Sequence, residues 1–114
     1  MRKVKGLAVA VVAVFLLVGV GVAFAEAPYH IGIVTGTVSQ GEDELRGAER
    51  LIEEYGSATN GGIIQHITYP DNFMQEMETT ISQIAGLTDD PLMKAIIVNQ
   101  SIPGTTEAFR RVKE

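Results

Sequence analysis

Three short apolar runs, each closed by turn-forming or polar residues and each followed by a helical pattern, constrain this chain more than any other feature. The first is Tyr29-His30-Ile31-Gly32-Ile33-Val34-Thr35, ending at Gly36. The second is Ile63-Ile64-Gln65-His66-Ile67-Thr68-Tyr69, ending at Pro70. The third is Ala95-Ile96-Ile97-Val98-Asn99, ending near Pro103-Gly104. Near-continuous apolar runs of this length suit strands covered on both faces of a parallel sheet.

Helical spacing fills the intervals. Leu45, Ala48, Ile52 and Tyr55 recur at three- and four-residue steps, with Glu44, Glu49, Arg50, Glu53 and Glu54 largely outside that stripe. Ser39 and Glu42 stand in the S-x-x-E relation of a capping box, so a helix is expected to start there and to stop at Gly56. Asn60-Gly61-Gly62 reads as a turn. Met74, Met77, Ile81 and Ile84 make a second stripe, expected to be one buried face, between an N-cap at Asp71 and a stop at Gly86. Residues 105–114 carry a third helical pattern. The order β-α-β-α-β-α predicts an α/β fold in three layers, a parallel sheet with right-handed crossovers. Three strands leave raw edges and half a core. That predicts the front part of a longer protein, or one completed by a partner chain.

Ahead of these elements stand Arg2, Lys3 and Lys5, then an apolar run from Leu7 to Phe24, then Ala23-Phe24-Ala25 before Glu26. A basic start, an apolar middle and an A-x-A site are the parts of a secretory signal peptide, here residues 1–25. The expected location is therefore periplasmic or extracellular. The run is also long enough to serve as an uncleaved membrane anchor. Removing the three basic residues of the leader from the chain's nine leaves six against fourteen acidic ones, a net charge of −8 over residues 26–114. No basic stripe remains to meet a phosphate backbone, which argues against nucleic acid as a partner. Without cysteine there is neither a disulfide framework nor a thiolate metal site.

The first loop has a familiar frame. Gly36 and Gly41 have four residues between them, the G-x-x-x-x-G of a phosphate-binding loop, but Glu42 occupies the position that needs lysine. The sign of the charge is reversed, and nucleotide hydrolysis is not expected. Glu42, Asp43 and Glu44 complement a helix dipole instead. A phospho-acceptor receiver needs carboxylates where Thr35 and Asn99 stand, and G-x-G-x-x-G is missing. Thr35-Gly36-Thr37 faintly resembles the phosphate loop of flavodoxins, which makes a flavin- or phosphate-binding protein one alternative reading; a truncated chain with no activity of its own is the other. Ser39 and Ser101 have no evident histidine partner. His30 and His66 lie within strands and read as packed or edge residues. Asp89-Asp90 before Pro91 reads as a solvated turn. Neither an enzyme, nor a metal site, nor a cofactor is expected.

In an open α/β sheet, ligands collect outside the carboxyl ends of the strands. Residues 35–40, 69–72 and 99–102 reach that edge, and neutral hydrogen-bonding groups dominate them. With "YHIGIVTGTVSQGEDELRGAERLIEEYG", "ITYPDNFMQEMETTISQIAGL" and "KAIIVNQSIPGTTEAFRRVKE", the chain resembles the first lobe of the type I periplasmic-binding-protein superfamily. It is most similar to an uncharacterised bacterial family within it. The resemblance implies a two-lobed, non-catalytic receptor closing on a small polar solute, such as a sugar or nucleoside, and working with a membrane transporter or sensor. By position it assigns Thr35, Gly36, Thr37 and Gln40 to the cleft loop after strand one. Tyr69 and Asp71 fall after strand two, and Asn99, Gln100 and Ser101 after strand three. The second lobe is absent from this sequence.

Overall fold

The computed structural model describes residues 26–114; the expected signal peptide lies outside the described residues. Strand β1 is His30–Thr35, helix α1 is Val38–Tyr55 and strand β2 is Ile64–Thr68. Helix α2 is Met77–Gly86, strand β3 is Met93–Val98 and helix α3 is Thr105–Lys113. Two single 3-10 turns, Ala58–Asn60 and Leu87–Asp89, lead toward β2 and β3. The strands form one sheet in the order β2-β1-β3. Both pairings are parallel: Val34 stands opposite Ile67 on one side and Val98 on the other. The alternating α/β order and the parallel sheet are as the apolar runs predict.

Because successive side chains of a strand point to opposite faces, β1 feeds two separate cores. On one face Ile33 packs with Ala48 of α1 and Ile64 of β2. On the other, Val34 packs with Tyr69, Ile81, Ile84, Leu87, Ile102 and Ala108, which brings α2 and α3 together. Fully burying one aliphatic side chain contributes roughly 1.5–3 kcal/mol, so the second cluster, the larger of the two, contributes more of the hydrophobic burial.

Three expectations about packing need correction. Met74 and Met77 are 63% and 44% exposed, so Ile81 and Ile84 alone anchor the α2 stripe. Tyr55 of the α1 stripe is also exposed. Strand β3 is not covered on both faces: Ile96 and Val98 pack against the larger core, whereas Ala95 and Ile97 face outward on the α1 side. The cause is the position of α1, which lies over β1 and β2 and leaves β3 bare.

The helix starts also differ from the capping rules. Helix α1 begins at Val38 with Thr37 at its N-cap and no side-chain cap bond. Gly41 leaves the helical conformation inside it, so the Ser39–Glu42 box does not form. Glu42 pairs with Arg46 instead. Helix α2 starts at Met77 rather than beside Asp71. The carbonyl of Asn72 accepts the amides of Gln75 and Glu76, which holds residues 71–75 as turns.

At the amino end of the sheet, Asp90 is no idle turn residue. His30 Nδ1 donates to Asp90 Oδ2 at 2.5 Å, and the Leu92 amide donates to Asp90 Oδ1 at 2.9 Å. The hydrogen bond from His30, then that from Leu92, holds the Asp90 carboxyl below its ordinary 3.8. A carboxyl lowered by folding stabilises the fold above its unfolded value, and the effect is lost as the pH falls through the folded one. The stability advantage of the native protein over Asp90→Asn is therefore expected to hold at neutral pH, to begin to fade only below about pH 4, and to be lost once the pH has fallen through the lowered folded value. Urea titrations of both proteins across that range measure it; a pH-independent difference would contradict the assignment.

Candidate functional site

The loops after β1, β2 and β3 meet on one rim of the sheet, and most of the side chains expected there fall into two hydrogen-bonded groups. The first centres on Asp71. Thr37 donates its hydroxyl to Asp71 Oδ1, Ser39 donates to the same oxygen at 2.9 Å, and Gln40 Nε2 donates to the Asp71 carbonyl at 2.9 Å. The bonds from Thr37, foremost, and from Ser39 keep the Asp71 carboxyl below its usual range. It stays ionised and gives the rim a fixed negative charge.

The second group joins β2 to β3. Tyr69 donates its phenol hydroxyl to Gln100 Oε1 at 3.0 Å, while its backbone N–H donates to the Thr35 carbonyl at 3.1 Å. Burial, with the nearby Glu44 charge adding to it, pushes the phenol pKa up and keeps the donor protonated. Asn99 is held by its own N–H on the Val34 carbonyl, at 3.0 Å, and its side chain is exposed beside Ser101.

Gly36 links the groups sterically. A Cβ there would lie 2.8 Å from the Tyr69 hydroxyl and 2.9 Å from Gln40 Cβ. Gly36→Ala is expected to cost about 1–3 kcal/mol, as overpacking does, and to drive Tyr69 off Gln100. Thermal melts give the first effect; a tyrosine hydroxyl resonance that exchanges faster with solvent gives the second.

Thr35 departs from its expected role. It is buried, donates its hydroxyl to the Gly36 carbonyl at 2.9 Å, and lies 2.8 Å from His66 Nε2. With the Thr35 proton committed, His66 Nε2–H must be the donor. Burial, opposed only by Glu49, lowers the His66 pKa and keeps the ring neutral. The pair ties β1 to β2 below the rim. Thr35 still lines a groove between α1 and β3, together with Asn99, Asp43 and Glu44.

Sequence reasoning assigned Ser39 to capping and Glu44 to the helix dipole, whereas the structure puts Ser39 on Asp71 and Glu44 along the groove. Only the spacing of Ser39 from Thr37, two positions, hinted that both hydroxyls could serve one acceptor. Among the described residues, no group of three or more His, Cys, Asp or Glu side chains is placed to hold a metal ion. Nor is any described helix long and apolar enough to cross a membrane.

Comparison with known proteins places this arrangement in a family. Residues 29–114 match the family described as "Protein of unknown function (DUF3798)". The chain is also 40% identical over 87 residues to an uncharacterized protein of Treponema pallidum (strain Nichols), an alignment covering 75% of this chain and 39% of that protein. It thus spans less than half the length of the relative it matches. No solved structure matches the chain. With both strand-end clusters and all three α/β units inside the matched stretch, the chain belongs to the DUF3798 family.

Proposed function

We propose that this chain is part of an exported receptor that binds or senses a small polar solute without transforming it, built as the first lobe of a type I periplasmic-binding-protein fold. The observation that carries the reading is the gathering of Thr37, Ser39, Gln40, Tyr69, Asn99, Gln100 and Ser101 on one rim at the carboxyl ends of three parallel strands. That is where open α/β sheets hold ligands. Helix α1 starts on the same rim, so its free N–H groups add donors for a polar ligand. The greater length of the Treponema relative fits a second lobe that closes over the rim, with hinge motion as the signal to a transporter or sensor. The amino-terminal Ala23-Phe24-Ala25 motif supports export. Asp71 weighs against the flavin or phosphate alternative, because its carboxylate holds the Thr37 and Ser39 hydroxyls that a phosphate would need.

Thermal melts against a panel of sugars, nucleosides, amines and phosphate esters test this proposal. A solute at a hundred times its Kd stabilises by about 2.7 kcal/mol. The expected result is a rise in Tm with a non-phosphorylated solute that Gln40→Ala diminishes. A panel without response, or one answered by phosphate esters alone, would sink the reading.

A further inference from the structure

The groove between α1 and β3 belongs to neither hydrogen-bonded group on the rim. It has a volume of about 410 Å³ and is lined by Thr35, Asp43, Glu44, Leu51, Ile97 and Asn99, among others. Its place in the topology is particular. The chain leaves β1 toward β2, then returns past β1 to reach β3, so the connections diverge between β1 and β3. A crevice at such a switch point, beside the carboxyl ends of the strands, is where ligands of open α/β sheets settle. Thr35 ends β1 and Asn99 follows β3, and both line this groove.

Its chemistry is one-sided. Leu51 and Ile97, 38% and 52% exposed, offer apolar walls. The charged residues that line it are Asp43 and Glu44, and neither lysine nor arginine is among the lining side chains. Arg46, the nearest cation in sequence, is engaged by Glu42 and Glu49 outside the groove. Glu44 Oε2 is shut off from solvent and has no hydrogen-bond partner among the described residues. It lies against Gly41, where an added Cβ would be 3.0 Å from it, so the kink in α1 is what shelters it. An ionised carboxylate only accepts hydrogen bonds. The strongest partner for it is a charged donor.

Resting on the solute-binding reading above, we infer that this groove receives the ammonium or guanidinium group of a small amphiphilic amine. The Glu44 carboxylate swings away from Gly41 to take the cation, with Asp43 reinforcing it at the mouth. The Asn99 amide orients the polar end, and Leu51 and Ile97 pack the hydrocarbon.

The test is a set of NMR titrations of the nitrogen-15-labelled protein with three probes of one shape: 2-phenylethylammonium, neutral 2-phenylethanol and anionic 3-phenylpropionate. The ammonium probe is expected to move the amide signals of Glu44, Leu51, Ile97 and Asn99 and to saturate about tenfold or more below the alcohol. Glu44→Gln is expected to erase that preference, and Asp43→Asn to reduce it, while the spectra report that each variant is folded. Equal saturation by amine and alcohol, or a preference that survives both variants, would overturn the inference and mark the groove as apolar surface only. If no phenyl probe binds while another solute of the thermal panel shifts rim residues, this inference falls and the receptor reading stands. If neither set gives a response, both fall.

Discussion

Gly62→Ala is expected to remove a large part of the protein's stability, whereas Gly61→Ala, one residue earlier, leaves most of it in place. A Cβ on Gly62 would lie 2.2 Å from the carbonyl carbon of Gly56, 2.4 Å from its Cα and 2.5 Å from its oxygen. All three are backbone atoms, so no side chain can move aside. The contact falls where α1 hands the chain to β2, and four hydrogen bonds lace that point. Gly56 N–H donates to Ile52, Gly62 N–H to Ser57, Ile63 N–H to Tyr55 and Ile64 N–H to Gly56. Relieving the clash breaks the lacing and with it the alignment of Ile64 against Ile31 on β1. A cost above about 4 kcal/mol follows, the upper range for one substitution. Small domains hold only about 5–15 kcal/mol in total. Gly61 has φ of +86° but nothing within 4 Å of an added Cβ. Its alanine variant should lose only the left-handed backbone preference, about 1–2 kcal/mol. Circular dichroism in a urea series separates the two, and similar midpoints would show that the α1–β2 junction yields more than its geometry implies.

The junction also shows which parts of this structure were legible in the residues. Asn60-Gly61-Gly62 announced a turn, but only the folded chain shows that Gly62 is required by a neighbouring backbone rather than by its own φ. The strands were readable because Ile31, Ile33, Val34, Ile64 and Ile96 form short β-branched runs, and the parallel arrangement followed from the alternation with helices. Asp71 and Ser39 were misread for a shared reason. Their short polar side chains suit an N-cap, and spacing reveals only local partners, whereas their actual partners are each other, 32 residues apart. Asp90 repeats the case, its partner His30 lying 60 positions away. The bare face of β3 was illegible for a different reason. Ala95 and Ile97 have the composition of a covered strand, and composition does not say how far α1 extends across the sheet. Among the expected site residues, Thr37, Gln40 and Asp71 come together and Tyr69 meets Gln100, while the Thr35 hydroxyl turns inward to His66.

Tyr69 is the side chain through which the core and the rim are joined, so its replacement should affect both. It is 1% exposed, belongs to the larger core, and meets Phe73 edge-on with ring centroids 5.5 Å apart. Removing the ring with Tyr69→Ala is expected to cost about 3–5 kcal/mol, as large aromatic deletions do, and to free the loops after β2 and β3 from one another. Tyr69→Phe keeps the ring and loses one hydrogen bond, about 0.5–1.5 kcal/mol, which lowers Tm by roughly 4–8 °C per kcal/mol in a fold of this size. The two variants separate the roles. If the rim holds solute through the position of Gln100, Tyr69→Phe should lose solute-induced stabilisation while remaining folded; undiminished stabilisation would assign Tyr69 to the core alone. Alkaline titration supplies an independent check. A phenol whose pKa is raised by folding gives its full stabilisation below its ordinary value of 10.0, and this fades as the pH rises toward the raised one. The native protein should therefore lose stability relative to Tyr69→Phe above pH 10, because the unfolded phenol ionises first and only the native protein carries that penalty.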